Sequence, residues 1–310
     1  MSGWTADEMP PMDGQTVVVT GANSGLGYEG TEAFAAAGAT VVMACRSEQR
    51  GQRAATEIRR RGDGGELDVR VCDLADLDSV ESFATGVREE YGTVDVLCNN
   101  AGVMAIPRQE TQQGFEMQLG VNHFGHFALT GHLLPALAAA DGESRVVTQS
   151  SGAHTAGEMD FDDLQSERSY GKWSAYGRSK LANLLFAYEL QRRLAESSLD
   201  IISVACHPGY ADTELQFRGP REEGSSVRMA GMKVANALFG QSAERGSLPM
   251  LYAATGEDVI GGEYVGPGGL FNMRGYPEFQ QSNADSQDEA DAERLWDISE
   301  ERTGVRYAFE

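Results

Sequence analysis

The sequence has 310 residues, 41% of them hydrophobic, which is enough for one large α/β domain or two smaller ones, each with a real core. It carries 47 acidic against 25 basic residues and a formal net charge of −22 at pH 7. Such a surface repels nucleic acid and anionic membranes, so the composition excludes a protein whose main partner is either of them.

The charge balance indicates the kind of organism that the protein comes from, and the cysteines indicate the redox state of its compartment. Acid enrichment with three lysines beside 22 arginines is typical of proteins from salt-loving organisms, because high salt screens the self-repulsion. Cys45, Cys72, Cys98 and Cys206 form no CxxC pair and end apolar runs, which predicts free buried thiols in a reducing cytoplasm. The sequence shows no signal peptide and no apolar run near the roughly 18 residues of a membrane span.

Apolar runs of strand length alternate with segments of helical spacing along the chain. The predicted strands are 16–20, 40–45, 68–72, 94–99, 145–149, 201–205 and, weakly, 262–265. The predicted helices are 26–37, 50–60, 77–91, 115–139, 175–195 and 244–255, with a last short helix near the C-terminus. Continuous apolar strands joined by helices predict an α/β fold with a doubly wound parallel sheet of about seven strands, covered on both faces.

No repeat and no linker divides the chain, so residues 14–310 are predicted to form a single domain after a loose N-terminal arm, 1–13. A segment rich in Gly, Arg and Glu, 209–243, follows the sixth strand, where a lid over a substrate would lie. Within it, 228–239 has amphipathic spacing, which fits either a lid helix over an apolar substrate or ordinary packing.

A glycine-rich loop, TGANSGLG at 20–27, joins the first strand to the first helix. Glycine gives the tight turn its φ freedom, and missing side chains let a pyrophosphate approach the helix N-terminus. The spacing is GxxxGxG, and a lone glycine motif is weak evidence. Its place after the first strand of a doubly wound pattern favours a Rossmann-type dinucleotide site over an ordinary strand-to-helix turn.

The end of the second strand predicts which dinucleotide binds. NAD-binding Rossmann folds have an acid about 20 residues after the glycine motif, where it binds the ribose 2′-hydroxyl. Here the strand is followed by Arg46, and Glu48 lies further on. A guanidinium suits a 2′-phosphate, so the sequence predicts NADP(H) rather than NAD(H). Arg50 and Arg53 either extend this basic cluster or are solvated helix positions.

The stretch YGRSK, 176–180, places one of the three lysines four residues after a tyrosine. On a helix these side chains share a face one turn apart. A cation there favours tyrosinate and moves the hydroxyl toward the pH at which it works as an acid or base. Because the chain uses arginine almost everywhere else, the lysine at 180 indicates a chemical requirement.

Several motifs fall in the order of one known superfamily, and the match runs over roughly residues 14–265. They are TGANSGLG at 20–27, CDL at 72–74, NNAG at 99–102, VNHFGHF at 121–127, SSGAH at 150–154, YGRSK at 176–180 and HPGYADTEL at 207–215. With these the chain resembles the short-chain dehydrogenase/reductase superfamily. Within it the chain looks most like the branch of retinol dehydrogenases and protochlorophyllide-reductase-like oxidoreductases.

The resemblance implies an NADP(H)-dependent carbonyl reductase or alcohol dehydrogenase, and we expect a small to medium apolar aldehyde or ketone as its substrate. Tyr176 would be the acid/base, and Lys180 would bind the nicotinamide ribose and lower the tyrosine pKa. Ser151, rather than the adjacent Ser150, would hydrogen-bond the substrate oxygen, and Asn122 would hold a water in a proton relay. With the glycine loop and Arg46, the cofactor positions would be Gly21, Asn23, Ser24, Gly25, Leu26, Gly27, Arg46, Asp73, Leu74, Asn100, Ala101, Gly102, Tyr176, Lys180, Pro208, Gly209 and Thr213.

Other interpretations stay open. The fold also serves non-catalytic NADP(H) sensors, which need neither the tyrosine nor the lysine. The long helices predicted at 115–139 and 175–195 are suited to pairing in a homodimer or homotetramer, as the resemblance also implies.

The histidines and one tryptophan have two interpretations each. His123, His126 and His132 either pack within a helix or take part in a metal site, and no acid or cysteine in the sequence completes such a site, so none is predicted. His154 is near Ser151 and is a candidate substrate contact, whereas His207 is assigned a structural role. Trp173 either walls the site or packs.

Overall fold

The computed structural model describes residues 3–62, 64–209, 241–269 and 272–309. Their strands form one sheet of eight, in the order β3-β2-β1-β4-β5-β6-β7-β8. The strands are β1 (Thr16–Thr20), β2 (Thr40–Cys45), β3 (Leu67–Val71), β4 (Val96–Asn99), β5 (Ser144–Gln149), β6 (Ile201–Cys206), β7 (Tyr264–Pro267) and β8 (Pro277–Gln280). The first seven are parallel, and the order reverses between β1 and β4, which confirms the doubly wound fold.

The α-helices of the described residues connect and cover these strands. They are α1 (Gly25–Ala36), α2 (Glu48–Arg61), α3 (Leu77–Tyr91), α4 (Met117–Leu119), α5 (Gly125–Ala138), α6 (Lys172–Ala195), α7 (Ala243–Thr255) and α8 (Glu289–Thr303). Local sequence sets several of their ends. The carboxylate of Asp76 accepts a hydrogen bond from the Asp78 amide before α3, and α8 ends at Gly304 in the left-handed conformation.

The central strand β1 shows how the sheet is covered on both faces. Val18 belongs to a buried cluster that includes residues of α3, α5 and α6. Val17 and Val19 belong to a second cluster, which includes residues of α1, α2 and α7. Successive side chains of a strand point to opposite faces, so a continuous valine run is what a sheet buried on both sides requires.

The helix predicted at 115–139 is not one regular helix. After the short α4 the chain forms a π-helical turn, Gly120–Phe124, and only then continues as α5. A π turn closes its hydrogen bonds over five residues rather than four, and such turns frequently occur at functional sites. The hydrophobic pattern does not reveal it, because every residue of the turn is buried.

Two further expectations differ from the structure. Strand β8 was not predicted, because its four residues alternate little and it pairs antiparallel at the edge of the sheet. The expectation of a loose N-terminal arm is not met for residues 3–13. Met12 is buried, and the ring of Trp4 lies 5.2 Å from that of Tyr252 in α7.

The predicted lid, 209–243, and its amphipathic segment, 228–239, lie almost wholly outside the described residues, as does Thr213. Across the part of the chain that the structure describes, none of the helices has the length and apolar character needed to span a bilayer.

Candidate active site

An open cleft of about 710 Å³ lies where the strand order reverses, at the carboxyl ends of β1, β2, β3 and β4. The loop between β1 and α1 forms one wall, and the turns after the other three strands form the rest. Ligands of doubly wound sheets bind in this position, and the volume is in the range of cofactor sites.

Two glycines let the loop pack closely against the turn after β4. Gly21 has φ +68°, and a Cβ on it would lie 3.2 Å from the Cα of Ala101. A Cβ on Gly27 would overlap the carbonyl oxygen of Gly21 and the side-chain amide of Asn100. The first residues of α1 line the cleft, so its unpaired amides and the positive end of its dipole are available to an anion.

The structure brings the predicted cofactor residues of the first half of the chain around this one cleft. They are Gly21, Asn23, Ser24, Gly25, Leu26, Gly27, Arg46, Asp73, Leu74, Asn100, Ala101 and Gly102. The cleft also contains Arg50, which the sequence left open, and residues that the sequence did not assign to the site, namely Thr20, Ala44, Ser47, Cys72, Val103, Met117 and Val121. Most of these belong to the quoted motifs or lie next to them, whereas Met117 lies outside every motif.

The turn after β2 makes one end of the cleft basic. Arg46 and Arg50 line it, and both side chains are exposed. The Ser47 hydroxyl accepts a hydrogen bond from the Arg50 amide and caps α2, which places the two arginines on the same turn. Glu48 and Arg53 do not line the cleft, so only part of the predicted basic cluster takes part in it.

Tyr176 lies near the start of α6 and is buried. Its hydroxyl is hydrogen-bonded to the side chain of Ser151. Burial raises the pKa of Tyr176 above the ordinary value for tyrosine, and the bond with Ser151 opposes this only in part. The phenol is therefore protonated at neutral pH and can donate a proton.

The adjacent residues Ser150 and Ser151 have different hydrogen-bond partners. The Ser150 hydroxyl is buried and donates to the backbone carbonyl of Lys180 at 2.8 Å. The Ser151 side chain is only half-buried, caps the short turn Gly152–Ala156 by accepting from the Ala153 amide at 3.2 Å, and faces Tyr176. Of the pair, only Ser151 is placed to share a substrate oxygen with the tyrosine.

Lys180 differs from the expectation in one respect. Its Nζ donates to the backbone carbonyl of Gln149 at 2.9 Å, and burial lowers its pKa to about 8. In this structure the Tyr176 pKa is raised by burial, and the contribution that lowers it comes from Ser151. Burial dominates at both residues, because removal from water disfavours the charged form of each.

Asn122 lies in the π turn and is fully buried. Its Oδ1 accepts from the Val103 amide at 2.8 Å, and its Nδ2 donates to the Val103 carbonyl at 3.0 Å and to Ser179 Oγ at 2.8 Å. Both side-chain hydrogens are thus used within the protein. A water in a proton relay would have to be held by the backbone carbonyl of Asn122, which also accepts from His126 Nδ1 at 3.0 Å.

The other singled-out side chains take mostly structural positions. Buried His154 lies with Nδ1 2.7 Å from the Ser151 carbonyl, and buried His207 lies with Nε2 2.8 Å from Gln280 Oε1. Trp173 is different, because it is 56% exposed and its ring lies 6.3 Å from that of Tyr176. Trp173 therefore lies between solvent and the buried Tyr176.

Histidines of the π turn and α5 are held by hydroxyls. His123 Nε2 lies 2.8 Å from Ser299 Oγ, and His126 Nε2 lies 2.9 Å from Thr20 Oγ1. His132 is half-buried on the same helix. The described ranges contain no group of three or more His, Cys, Asp or Glu side chains that could hold a metal ion.

The turn after β6 begins within the described residues and continues beyond them. The Pro208 carbonyl accepts from Gln241 Nε2 at 2.7 Å, and Gly209 has φ +65°. A Cβ on Gly209 would overlap the Met273 carbonyl oxygen, so the chain packs tightly where it leaves the sheet.

All four cysteines are free and buried.

Comparison with known proteins agrees with this geometry. Residues 15–223 match the short chain dehydrogenase family. Human retinol dehydrogenase 13 is 39% identical over 308 residues, covering 98% of this chain and 89% of the relative, and mouse polyprenol dehydrogenase is 40% identical over 262 residues, covering 83% and 77%. A crystal structure of an uncharacterized protein from Mycobacterium paratuberculosis superposes with a TM-score of 0.81 at 40% identity, covering 99% of this chain and all of the other.

The family match and these relatives extend over most of the chain, and the solved structure shares its fold. The chain belongs to the short-chain dehydrogenase family, and its curated relatives include retinol dehydrogenases.

Proposed function

We propose that this protein is an NADP(H)-dependent oxidoreductase that interconverts a carbonyl and an alcohol by hydride transfer, with Tyr176 as acid/base. One observation carries the proposal. The cleft and the Ser151–Tyr176 pair adjoin, because a Cβ on cleft-lining Gly102 would lie 3.7 Å from Lys180 Nζ, one helical turn from the tyrosine. A binding site and a proton donor thus share one edge of the sheet.

The residues present fit a nicotinamide dinucleotide. A side chain on Gly21 or Gly27 would run into Ala101, Asn100 or the Gly21 carbonyl and displace the loop, and the N-terminus of α1 would meet the charge of a pyrophosphate. Asp73 and Leu74 would flank the adenine, and Asn100, Ala101 and Gly102 would line the middle of the cofactor. The family resemblance assigns Pro208, Gly209 and Thr213 to the nicotinamide. When bound, the cofactor supplies or accepts the hydride.

The preference for NADP(H) rests on the basic end of the cleft. Arg46 and Arg50 are exposed there, four positions apart where β2 leads into α2, and the cleft lining also includes Asp73, which follows the neighbouring strand β3. Guanidinium groups bind phosphate through several hydrogen bonds at once. In a chain of net charge −22, two arginines at the predicted 2′-phosphate position support this choice.

The catalytic side chains have complementary tasks in carbonyl reduction. The bound cofactor would supply the hydride to the carbonyl carbon, and the Tyr176 hydroxyl would donate its proton to the carbonyl oxygen. Ser151 donates a hydrogen bond to that oxygen as negative charge develops on it. The raised pKa of Tyr176 keeps the phenol protonated, which suits the acid role and the direction of reduction. In alcohol oxidation both transfers run in reverse.

The exposed surface next to Tyr176 favours an apolar substrate. Trp173 offers an exposed indole ring next to Tyr176. Two relatives are named for retinol and polyprenol, which are both long apolar alcohols. We therefore infer an apolar alcohol and its aldehyde or ketone as the substrate class.

Titration of NADPH and NADH by fluorescence tests the cofactor assignment. We expect Arg46→Asp to weaken NADPH binding by at least about tenfold while sparing NADH, since it replaces a phosphate contact with a repelling charge. Arg53→Asp is the matched control, because it makes the same charge change on α2 outside the cleft. Equal effects of the two substitutions on NADPH would contradict the assignment.

Turnover separates the enzyme from a non-catalytic nucleotide sensor on the same fold. We expect the wild-type protein to oxidise NADPH when a panel of apolar aldehydes and ketones is added. Tight NADPH binding without turnover across the panel would favour the sensor.

A further inference from the structure

His126 is a buried side chain to which the reaction above assigns no role. It is 1% exposed and lies in the first turn of α5, directly after the π turn. Both of its ring nitrogens have partners on different elements: Nδ1 lies 3.0 Å from the Asn122 carbonyl, and Nε2 lies 2.9 Å from Thr20 Oγ1. The imidazole therefore bridges the π turn and the end of β1.

The partners fix the form of the ring. The Asn122 carbonyl only accepts, so Nδ1 carries a hydrogen and donates to it. Burial lowers the pKa of His126 to about 4, so the ring is neutral and Nε2 accepts. The Thr20 hydroxyl then donates to Nε2, which is nearer than its other acceptor, the Cys98 carbonyl at 3.2 Å.

The first arm of the bridge reaches the floor of the cleft. While it donates to His126, the Thr20 hydroxyl accepts from the amides of Asn100 and Ala101, each at 2.9 Å. The Asn100 side chain also donates to the Thr20 carbonyl at 2.7 Å. His126 thus sets the direction of the hydroxyl that holds two cleft-lining amides in place.

The second arm reaches the catalytic helix. The Asn122 carbonyl accepts from His126, and the Asn122 side chain donates to Ser179 Oγ at 2.8 Å. Ser179 Oγ in turn donates to the Tyr176 carbonyl at 2.8 Å. A displacement of Asn122 would therefore reach the turn of α6 that carries the tyrosine.

We propose that His126 is a positioning residue that ties the floor of the cofactor cleft, through Thr20, to the turn that carries Tyr176, through Asn122 and Ser179. The proposal rests on the proposed function for its kinetic consequences. Its structural part concerns the nucleotide-free protein and is testable by itself.

Two substitutions separate the arms. An asparagine amide reaches the position of Nδ1, so His126→Asn keeps the hydrogen bond to Asn122 and loses the one to Thr20. A glutamine amide reaches the position of Nε2, so His126→Gln keeps the hydrogen bond to Thr20 and loses the one to Asn122. We expect His126→Asn to weaken NADPH binding roughly tenfold with kcat within about twofold, as befits one lost buried hydrogen bond. We expect His126→Gln to lower kcat roughly tenfold with NADPH affinity within about twofold.

His123 supplies the matched control. It is equally buried, one helical turn away in sequence, and its ring contacts Ser299 on α8 rather than the cleft. His123→Asn and His123→Gln should leave both NADPH affinity and kcat within about twofold of wild type. If the His126 variants behave like the His123 variants, or if both His126 variants lower affinity and kcat together, the proposal is overturned.

Hydrogen exchange on the nucleotide-free protein tests the bridge whether or not the proposed reaction is right. His126→Asn should speed amide exchange at Ala101 and, to a smaller extent, at Asn100, because Thr20 loses its orienting partner while the Asn100 amide also donates to the Cys98 carbonyl at 2.9 Å. His123→Asn should not change either rate. Thr20→Val and Thr20→Ser repeat the test if a histidine variant fails to fold, since only Thr20→Ser keeps a hydroxyl. Unchanged exchange at these two amides in His126→Asn or Thr20→Val would overturn the proposal, even if NADPH turnover is found.

Discussion

At the scale of single residues, the adjacent serines make the sharpest comparison. Ser151 faces Tyr176, whereas Ser150 is bonded to the Lys180 carbonyl. We expect Ser151→Ala to lower kcat for carbonyl reduction by about 10²–10³, the usual cost of a lost oxyanion donor. Ser150→Ala should keep most of kcat and instead lower the free energy of unfolding by about 1 kcal/mol. Steady-state kinetics and urea unfolding of both variants measure this, and a reversed order of the kcat effects would count against the site.

Lys180 is expected to serve catalysis while lowering the free energy of unfolding. Its pKa is about 8 in the folded protein against an ordinary 10.5, because burial disfavours the ammonium. Below about pH 8 both folded and unfolded chains carry the proton, and the folded state bears the full cost of burying the charge. Between about pH 8 and 10.5 the unfolded chain holds more protons, so this residue's contribution to stability rises with pH.

Lys180→Met should therefore unfold at higher urea than wild type near neutral pH, by about 1–3 kcal/mol in the free energy of unfolding. The Gln149 carbonyl keeps its bond from Asn183, so the substitution leaves it satisfied. The advantage should shrink as pH rises from about 8 to about 10.5. An advantage that grows with pH, or a destabilised variant near pH 7, would contradict the assignment of a buried ammonium, and activity should be lost at every pH.

At the scale of elements, the loop between β1 and α1 makes the cleft. We expect Gly27→Ala to weaken NADPH binding by more than about tenfold, since its Cβ would overlap the Gly21 carbonyl and the Asn100 side chain. Gly86→Ala in α3 is the control. A Cβ there lies 3.2 Å from Arg70 Nη1, which also donates to the Gly86 carbonyl at 3.0 Å, so alanine should change stability by no more than about 1 kcal/mol without changing binding. Isothermal titration of both variants measures this. Unweakened NADPH binding by Gly27→Ala would show that the cofactor does not bind against this loop.

The sequence predicts the regular elements well and the irregular ones poorly. Apolar runs placed β1 and β2 at their observed bounds, because a strand buried on both faces is apolar throughout. The pattern did not show the π turn Gly120–Phe124, because apolarity carries no information on how the backbone hydrogen bonds close. It also did not show β8, whose pairing depends on β7 rather than on its own residues.

The site follows the same division. Motif residues marked the phosphate loop and the YGRSK turn, because their chemistry requires particular residue types. The partners that orient them were not predictable from sequence. Nothing in the chain around Thr20 indicates a contact with His126, which lies 106 positions away and meets it only through the fold.

At the scale of the whole molecule, the C-terminal helix changes the expectation of pairing through the long helices. α8 packs on α6, with Trp296 stacked against Phe186 and its ring 5.1 Å from that of Phe127 in α5. The Tyr307 hydroxyl donates to the Phe127 carbonyl at 2.7 Å. The chain thus covers part of α5 and α6 itself, and a dimer through that part would have to displace α8.

The net charge of −22 predicts that stability depends on salt. Raising NaCl from about 0.1 M to about 1 M shortens the screening length from about 10 Å to about 3 Å and weakens the self-repulsion of the folded surface. We expect Tm to rise over this range. Sucrose at matched osmolality is the control, and a Tm that falls with NaCl, or rises no more than in sucrose, would show that repulsion does not limit this fold.

The central claim is that Tyr176 delivers the proton while NADPH delivers the hydride. The most direct measurement is NADPH oxidation with the best apolar aldehyde of the panel by wild type, Tyr176→Phe and Tyr170→Phe, together with the NADPH dissociation constant of each. Tyr170 is a matched control, because its hydroxyl is bonded to the Ile106 carbonyl and to Gln118 rather than to Ser151. We predict that Tyr176→Phe alone lowers kcat by about 10²–10⁴ with NADPH affinity within about twofold. Wild-type kcat in Tyr176→Phe would contradict the account.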